Sequence, residues 1–152
     1  KNTSKTKFCI GVAGYPEKHF EAPNMESDLQ YLKQKIDAGA DYIVTQMFFD
    51  NEKYFSFVKA CRDLGITVPI IPGLKPIYSI KQLTILPKIF HIDLPTAISN
   101  EISKCKTDLE VEEIGEAWLL AQSQELQKAG VPVLHYYTLG RPHMVSRVVS
   151  KL

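Results

Sequence analysis

Short apolar runs alternate along the chain with longer segments in which apolar residues recur at helical spacing. Residues 8–13 form the first apolar run, which predicts a strand buried on both faces. Apolar side chains then recur every three or four positions over residues 25–36. Asn24 before them can cap a helix, and Gly39 after them can end one. The opening of the chain therefore predicts a strand followed by a helix.

The same alternation of strand and helix predicts the remaining elements. The second unit is a strand over residues 41–46 and a helix that Asp50 or Asn51 caps and Gly65 closes. The third unit is a strand over residues 68–71, which Pro72 and Gly73 break, and a short helix that Ser79 caps and that ends at Pro87. Two more helices follow: one has Pro95 in its first turn, and a longer one begins with a capping box of Thr107 and Glu110 and is closed by Gly130. The chain ends with a strand over residues 132–138 and a final helix.

Four apolar strands that alternate with helices predict the α/β class, with a parallel sheet covered by helices. Two architectures satisfy this pattern. An eight-stranded (β/α)8 barrel takes about 250 residues, so four units in 152 residues correspond to roughly half a barrel. The alternative is a small, open, doubly wound sheet. Chain length alone does not separate the two.

Composition and charge exclude several classes of protein. The chain has 18 basic and 17 acidic residues, with 45% hydrophobic and 23% charged residues, which is typical of a globular domain. Basic residues are interspersed with acidic ones, and no apolar run is long enough to span a bilayer, so neither nucleic acid nor membrane is predicted as a partner. Cys9, Cys61 and Cys105 are odd in number and widely spaced, which predicts free thiols and a cytoplasmic protein. Because Lys1 is not a methionine, we expect the sequence to begin inside a longer chain.

Common catalytic motifs are missing from the sequence. It contains no G-x-S-x-G, P-loop, G-x-G-x-x-G, H-E-x-x-H or C-x-x-C pattern. Hydrolase, NTPase, dinucleotide-fingerprint and metal-site hypotheses therefore have no motif support, and no metal is predicted. Small-molecule binding remains.

Polar side chains follow each predicted strand, at the carboxyl ends where α/β folds bind ligands. Tyr15 and His19 flank a proline-containing loop and either contact a planar ligand or form a surface turn. Gln46 ends an apolar strand, so its amide suits an amide-bearing heterocycle or else bonds a neighbouring loop.

Two further groups of polar residues allow a functional and an ordinary interpretation. Asp28, Tyr31 and Lys35 fall on one helix face, which is either solvated or positioned to bind a hydroxyl and a phosphate. Arg141 follows the last strand and either binds a carboxylate or lies on the surface.

Taken together, the strand-end segments resemble the methylenetetrahydrofolate reductase family. The resemblance runs from Phe8 to about Arg141 and is weakest over residues 84–106. Its ordered blocks are residues 14–22, 28–29, 32–41, 45–50, 70–76 and 135–139.

This resemblance implies a (β/α)8 TIM barrel with FAD at the carboxyl ends of its strands. Residues 1–152 would be the C-terminal half of that domain, strands five to eight, with the N-terminal half absent. NADH or NADPH would reduce the flavin, which would then reduce 5,10-methylenetetrahydrofolate to 5-methyltetrahydrofolate, a step of one-carbon metabolism and methionine biosynthesis. A homo-oligomer is expected.

The resemblance also assigns roles to individual residues. Positions that contact FAD are Tyr15, His19, Ala22, Asp28 and Lys35; Gln46 contacts both the nicotinamide donor and the folate; Gln82 and Arg141 contact the folate. No catalytic residue is expected in this segment, because the family's acid/base glutamate and its Arg-Gly-Asp loop lie in the first half of the barrel. Gly140 stands where the family usually has asparagine.

Two functional hypotheses follow. The first is that the chain belongs to a flavin-dependent reductase and is inactive by itself. The second is a non-catalytic half-barrel module that self-associates and binds flavin or folate weakly.

Overall fold

The structure is a computed structural model that describes residues 8–152. In that part of the chain, four strands alternate with helices. The elements are β1 (Gly11–Gly14), α1 (Met25–Asp37), β2 (Tyr42–Met47), α2 (Asn51–Asp63), β3 (Ile70–Leu74), α3 (Gln82–Phe90), α4 (Thr96–Ile102), α5 (Asp108–Lys128), β4 (His135–Tyr136) and α6 (Pro142–Val149). No helix among these is long and apolar enough to cross a membrane.

The strands form one parallel sheet in the order β1-β2-β3-β4. Strand order separates the two architectures that chain length left open. In a doubly wound sheet the order in which strands are added reverses at a switch point, so neighbouring strands are not all consecutive in the chain. In a barrel, consecutive strands are neighbours throughout. The predicted α/β class is confirmed, and the fold corresponds to half of a (β/α)8 barrel. The open doubly wound alternative is wrong.

The two faces of the sheet carry different side chains. Ile43 and Ile70 pack into the core between the sheet and the helices, together with Phe57 of α2 and Leu119 of α5. Successive side chains of a strand point to opposite faces. Gln46, which lies between the buried Thr45 and Met47, therefore projects from the face opposite the helices, the face that lines the interior of a barrel.

All four strands differ in their boundaries from the predicted ones, and β2 differs least, by one residue at each end. β1 begins at Gly11, and Phe8 and Ile10 are exposed, because β1 is an edge strand with a single neighbour. The prediction that this strand is buried on both faces is wrong. β3 continues through Pro72, which falls at an irregularity of the β2–β3 register and so removes no regular ladder bond. β4 is only two residues long.

Helix α3 also differs from the prediction. Ser79 does not cap it; Lys81 is the N-cap residue and makes no side-chain capping bond, while the carbonyl of Ser79 accepts from Gln82 N in the preceding turn. Pro87 lies inside the helix, which continues to Phe90. A proline removes one backbone hydrogen bond, and burial of the apolar face of α3 offsets that loss.

The capping box of α5 is confirmed and gives a first testable prediction. Thr107 Oγ1 accepts from Glu110 N at 3.3 Å, and Glu110 Oε2 accepts from Thr107 N at 3.2 Å. Thr107→Ala removes the side-chain acceptor and should lower the free energy of unfolding by about 1 kcal/mol in urea denaturation. Thr107→Ser keeps the acceptor and serves as the control. An alanine variant as stable as the serine variant would show that the cap contributes nothing.

Candidate functional site

The loop after β1 brings four of the predicted cofactor residues together. Lys18 adopts φ +75° and its Nζ donates to the carbonyls of His19 (2.8 Å) and Ala22 (2.6 Å), which folds the loop back on itself. Asp28 Oδ2 accepts from His19 N at 2.9 Å and ties this loop to α1. The Tyr15 and His19 rings meet edge to face, with centroids 4.6 Å apart. Tyr15, His19, Ala22 and Asp28 therefore form one unit.

Lys35, the fifth predicted cofactor residue, reaches the same end of β1 from α1. Its Nζ lies 3.5 Å from the carbonyl oxygen of Ala13, and the side chain is otherwise open to solvent. Tyr31, on the same helix, is 52% exposed. The polar stripe of α1 is thus divided: Asp28 and Lys35 face the strand end, and Tyr31 faces solvent.

Gln46 occupies the carboxyl end of β2. Its Oε1 accepts from Met47 N at 3.0 Å, which orients the amide, and its Nε2 has no hydrogen-bond partner within residues 8–152. Gln46 and Tyr15 line one small crevice with Phe90 and His91, residues at the end of α3. The two side chains, predicted from separate motifs, therefore adjoin.

Tyr137, at the end of β4, was not predicted as a site residue. Its hydroxyl donates to the carbonyl of Thr45 at 2.9 Å, so it crosses β3 to reach β2. The crossing requires glycine at position 73, where a Cβ would clash with Thr45 O and lie 2.6 Å from the Tyr137 ring. Burial is the main cause that raises the pKa of Tyr137, and electrostatic repulsion from the nearby Tyr15 raises it further. The sequence signal was an aromatic residue at a strand end.

Gln82 and Arg141, the predicted folate residues, both contact Tyr78. Gln82 is buried, and its Oε1 accepts from Tyr78 N at 2.8 Å. The Arg141 guanidinium lies 4.4 Å from the centroid of the Tyr78 ring and 3.7 Å from Glu112 of α5. The arginine pose is therefore set by an aromatic face and a carboxylate.

Lys75 completes this group and was also not predicted as a site residue. Its side chain is 2% exposed, and Nζ donates to the carbonyl of Pro76 at 2.9 Å and lies 4.6 Å from the Tyr78 centroid. Burial lowers the pKa of Lys75 to about 8, with a further contribution from Arg141. A lysine directly after an apolar strand was the available signal. We call Lys75, Tyr78, Gln82 and Arg141 the Tyr78 cluster.

Contacts between loops close the edge of the site near β1. Glu17 Oε2 accepts from Asp93 N at 2.6 Å and lies 3.3 Å from Lys53 Nζ, which joins the β1–α1 loop to the segment between α3 and α4. The Phe20 ring stacks on His91 at 4.7 Å. Burial of the Glu17 carboxyl raises its pKa. These contacts hold the loop that carries Tyr15 and His19.

Four parallel βα units in chain order define a segment of a (β/α)8 barrel, and their strands carry polar side chains at the carboxyl ends, where barrels of this class have their sites. Comparison with known families agrees with this class. The sequence profile described as methylenetetrahydrofolate reductase matches residues 1–152. The chain belongs to the methylenetetrahydrofolate reductase family.

Individual relatives support the same assignment. Methylenetetrahydrofolate reductase 2 of Saccharomyces cerevisiae is 43% identical over 149 residues, covering 95% of this chain and 25% of the yeast protein. The 5,10-methylenetetrahydrofolate reductase of Salmonella typhimurium is 38% identical over 138 residues, covering 90% of this chain and 47% of the bacterial protein. The chain thus spans between a quarter and about half the length of these relatives.

A solved structure shares the fold. An uncharacterized protein from Clostridium thermocellum, described as binding two copies of 5-methyl-5,6,7,8-tetrahydrofolic acid, superposes with a TM-score of 0.59 and 19% identity. The match covers 93% of this chain and 51% of that protein. The likeness extends over nearly all of the four βα units.

Proposed function

We propose that this chain forms four βα units of the catalytic barrel of a flavin-dependent methylenetetrahydrofolate reductase. The reaction is the reduction of 5,10-methylenetetrahydrofolate to 5-methyltetrahydrofolate by NADH or NADPH. The observation that carries the proposal is that Tyr15 and Gln46 line one crevice at the carboxyl ends of β1 and β2, in a member of this family. Tyr137, at the end of β4, bonds the Thr45 carbonyl next to Gln46. Binding sites of (β/α)8 barrels form at this end of the strands.

The residues around β1 fit an FAD molecule chemically. Lys35 supplies an ammonium group for the diphosphate, while Tyr15 and His19 present aromatic edges and polar atoms. The Asp28 carboxylate accepts from the His19 backbone N–H. Ala22 is small and buried, and its carbonyl accepts from Lys18 Nζ, so the loop after β1 folds back closely on itself. When bound, a flavin supplies the hydride chemistry that no side chain of this segment can perform.

Gln46 is positioned to orient the nicotinamide donor and the folate in turn. Because Met47 N fixes Oε1, the Nε2 hydrogens point in a defined direction. Both ligands present carbonyl acceptors on planar rings, and an amide can donate to either. Gln82 and Arg141 would bind the folate, with half of the Arg141 side chain exposed and open to a carboxylate.

The proposed activity is tested with the protein expressed in its full natural sequence. Purified protein should show a bound-flavin absorbance spectrum that NADH or NADPH bleaches and 5,10-methylenetetrahydrofolate restores. A colourless protein that FAD cannot reconstitute would contradict the proposal.

Gln46→Ala separates ligand orientation from cofactor binding. We expect both half-reactions to slow by about a hundredfold, because misplacing either ligand by about 1 Å costs that much. FAD content should stay unchanged. Stopped-flow absorbance measures each half-reaction, and Gln124→Ala, at an exposed glutamine of α5, is the control. Loss of FAD from the Gln46 variant would mean that Gln46 belongs to the cofactor site instead.

A second candidate function is the non-catalytic half-barrel module that self-associates and binds flavin or folate weakly. The edge position of β1 favours it, since Phe8 is 71% and Ile10 51% exposed and β2 is the one strand that pairs with β1 in residues 8–152. A homo-oligomer would cover this edge. Turnover in the flavin assay decides between the two candidates.

A further inference from the structure

The Tyr78 cluster holds more positive than negative charge. Lys75 and Arg141 both lie against the Tyr78 ring, at 4.6 and 4.4 Å from its centroid. Among residues 8–152, Lys75 lies within 4 Å of no carboxylate, and Arg141 faces only Glu112, at 3.7 Å.

Glu112 does not neutralise this charge. The same carboxylate also lies 3.7 Å from His143 and from Arg147 of α6, so several basic groups share it. It lies 3.7 Å from an Arg141 side chain that is half exposed, and so long and partly solvated an ion pair contributes little. The buried ammonium of Lys75 is therefore left without a counter-ion of its own.

A buried charge without a counter-ion is costly, and proteins usually replace it with an apolar side chain or pair it. A methionine would fill a similar volume without this cost. Here the Lys75 charge is kept, at a strand end and beside a half-exposed Arg141. This arrangement matches a site for an anionic group that comes from outside the chain.

We propose that Lys75 is a specificity-determining residue that selects the carboxylate-bearing tail of the folate. Arg141 contacts a tail carboxylate directly with its exposed guanidinium. The buried Lys75 ammonium adds a Coulomb attraction to the same carboxylate, and the low polarity around Lys75 strengthens that attraction. Lys35 serves the phosphates at the other edge of the sheet, beside β1. This inference rests on the proposed function, because it requires a folate to bind at this end of the barrel.

The test compares ligands with and without the glutamate tail. Calorimetry on the full natural protein would measure Kd for 5-methyltetrahydrofolate and for 5-methyltetrahydropteroate, which lacks the glutamate. Lys75→Met should weaken binding of the folate by about tenfold and change binding of the pteroate less than twofold. Lys88→Met, at an exposed lysine of α3, should change neither.

The possible failures are distinguishable. Equal weakening of both ligands would show that Lys75 only shapes the site, and no weakening would show that it does not act on the tail; either result overturns the inference alone. The same calorimetry with NADH and NADPH gives a third outcome: a rise confined to their Kd would assign the charge to the nucleotide and also overturn the inference. Failure of the wild-type protein to bind either pterin ligand would overturn the proposed function together with the inference.

Discussion

Replacing Gly115 with alanine is expected to lower the free energy of unfolding by about 3 kcal/mol, although helix propensity alone predicts a gain of about 1 kcal/mol. Gly115 lies in the middle of α5, where that helix meets the backbone of the loop after β3. A Cβ there would clash with the carbonyl oxygen of Ile77 and lie 2.9 Å from its carbonyl carbon. Backbone atoms cannot rotate away as a side chain can, so either α5 or the loop must shift.

Urea denaturation measures this loss, and the reverse exchange on the same helix is the matched control. Ala117 is exposed, so Ala117→Gly should cost only the propensity difference of about 1 kcal/mol. The Ile77 loop also carries Lys75 and Tyr78, so the proposed binding of folate should weaken in Gly115→Ala and not in the control. A Gly115→Ala variant more stable than the wild type would refute the close contact.

Lys75→Met is expected to stabilise the protein near pH 7 by about 3 kcal/mol. Burial lowers the pKa of Lys75 to about 8 from 10.5, so folding opposes its charged form. Between pH 8 and 10.5 the unfolded chain binds this proton and the folded protein does not. Stability of the wild type therefore rises with pH across that window, and below pH 8 the destabilisation is present in full.

The measurement is the difference in unfolding free energy between Lys75→Met and wild type, taken at pH 7 and at several values up to 10.5. Titrations of other groups are common to both proteins and cancel in the difference, which should shrink as pH rises. Lys88→Met should show no such trend, because Lys88 is exposed. A constant difference across the range would mean that the Lys75 ammonium is not desolvated.

These two expectations concern the same part of the fold. Loop 75–78 is held against α5 without space for a methyl group, and it buries a charge that lowers stability. Functional sites commonly carry such costs, because a group arranged for a ligand is not arranged for folding. The destabilising lysine and the proposed tail selectivity are therefore two consequences of one arrangement.

The sequence predicted the helices best where their boundaries depend on local chemistry. Asn24 accepts from Ser27 N, Asp50 from Glu52 N and Thr107 from Glu110 N, and each cap lies within three residues of its donor. Such signals need no knowledge of the rest of the fold. The α/β class followed from the same kind of local periodicity.

Strand ends and the α3 boundary could not be predicted as well, because distant parts of the chain determine them. β3 passes through Pro72 where the register with β2 is irregular, and β4 is short because only two of its residues pair with β3. The exposure of β1 depends on its place at the edge of the sheet. A proline looks the same in the sequence whether the register around it is regular or irregular, and an apolar run looks the same at the edge or in the middle of a sheet. The sequence alone therefore does not tell these cases apart.

For the site, the sequence by itself determined which polar residues follow each strand, and the family resemblance named Tyr15, Gln46 and Arg141 among them. Only the tertiary structure decided which of them meet. Lys75 and Arg141 are far apart in the chain and face one ring, and burial turned an ordinary strand-end lysine into an uncompensated charge. Desolvation and electrostatic coupling depend on all the atoms around a group, and that arrangement exists only after the chain has folded.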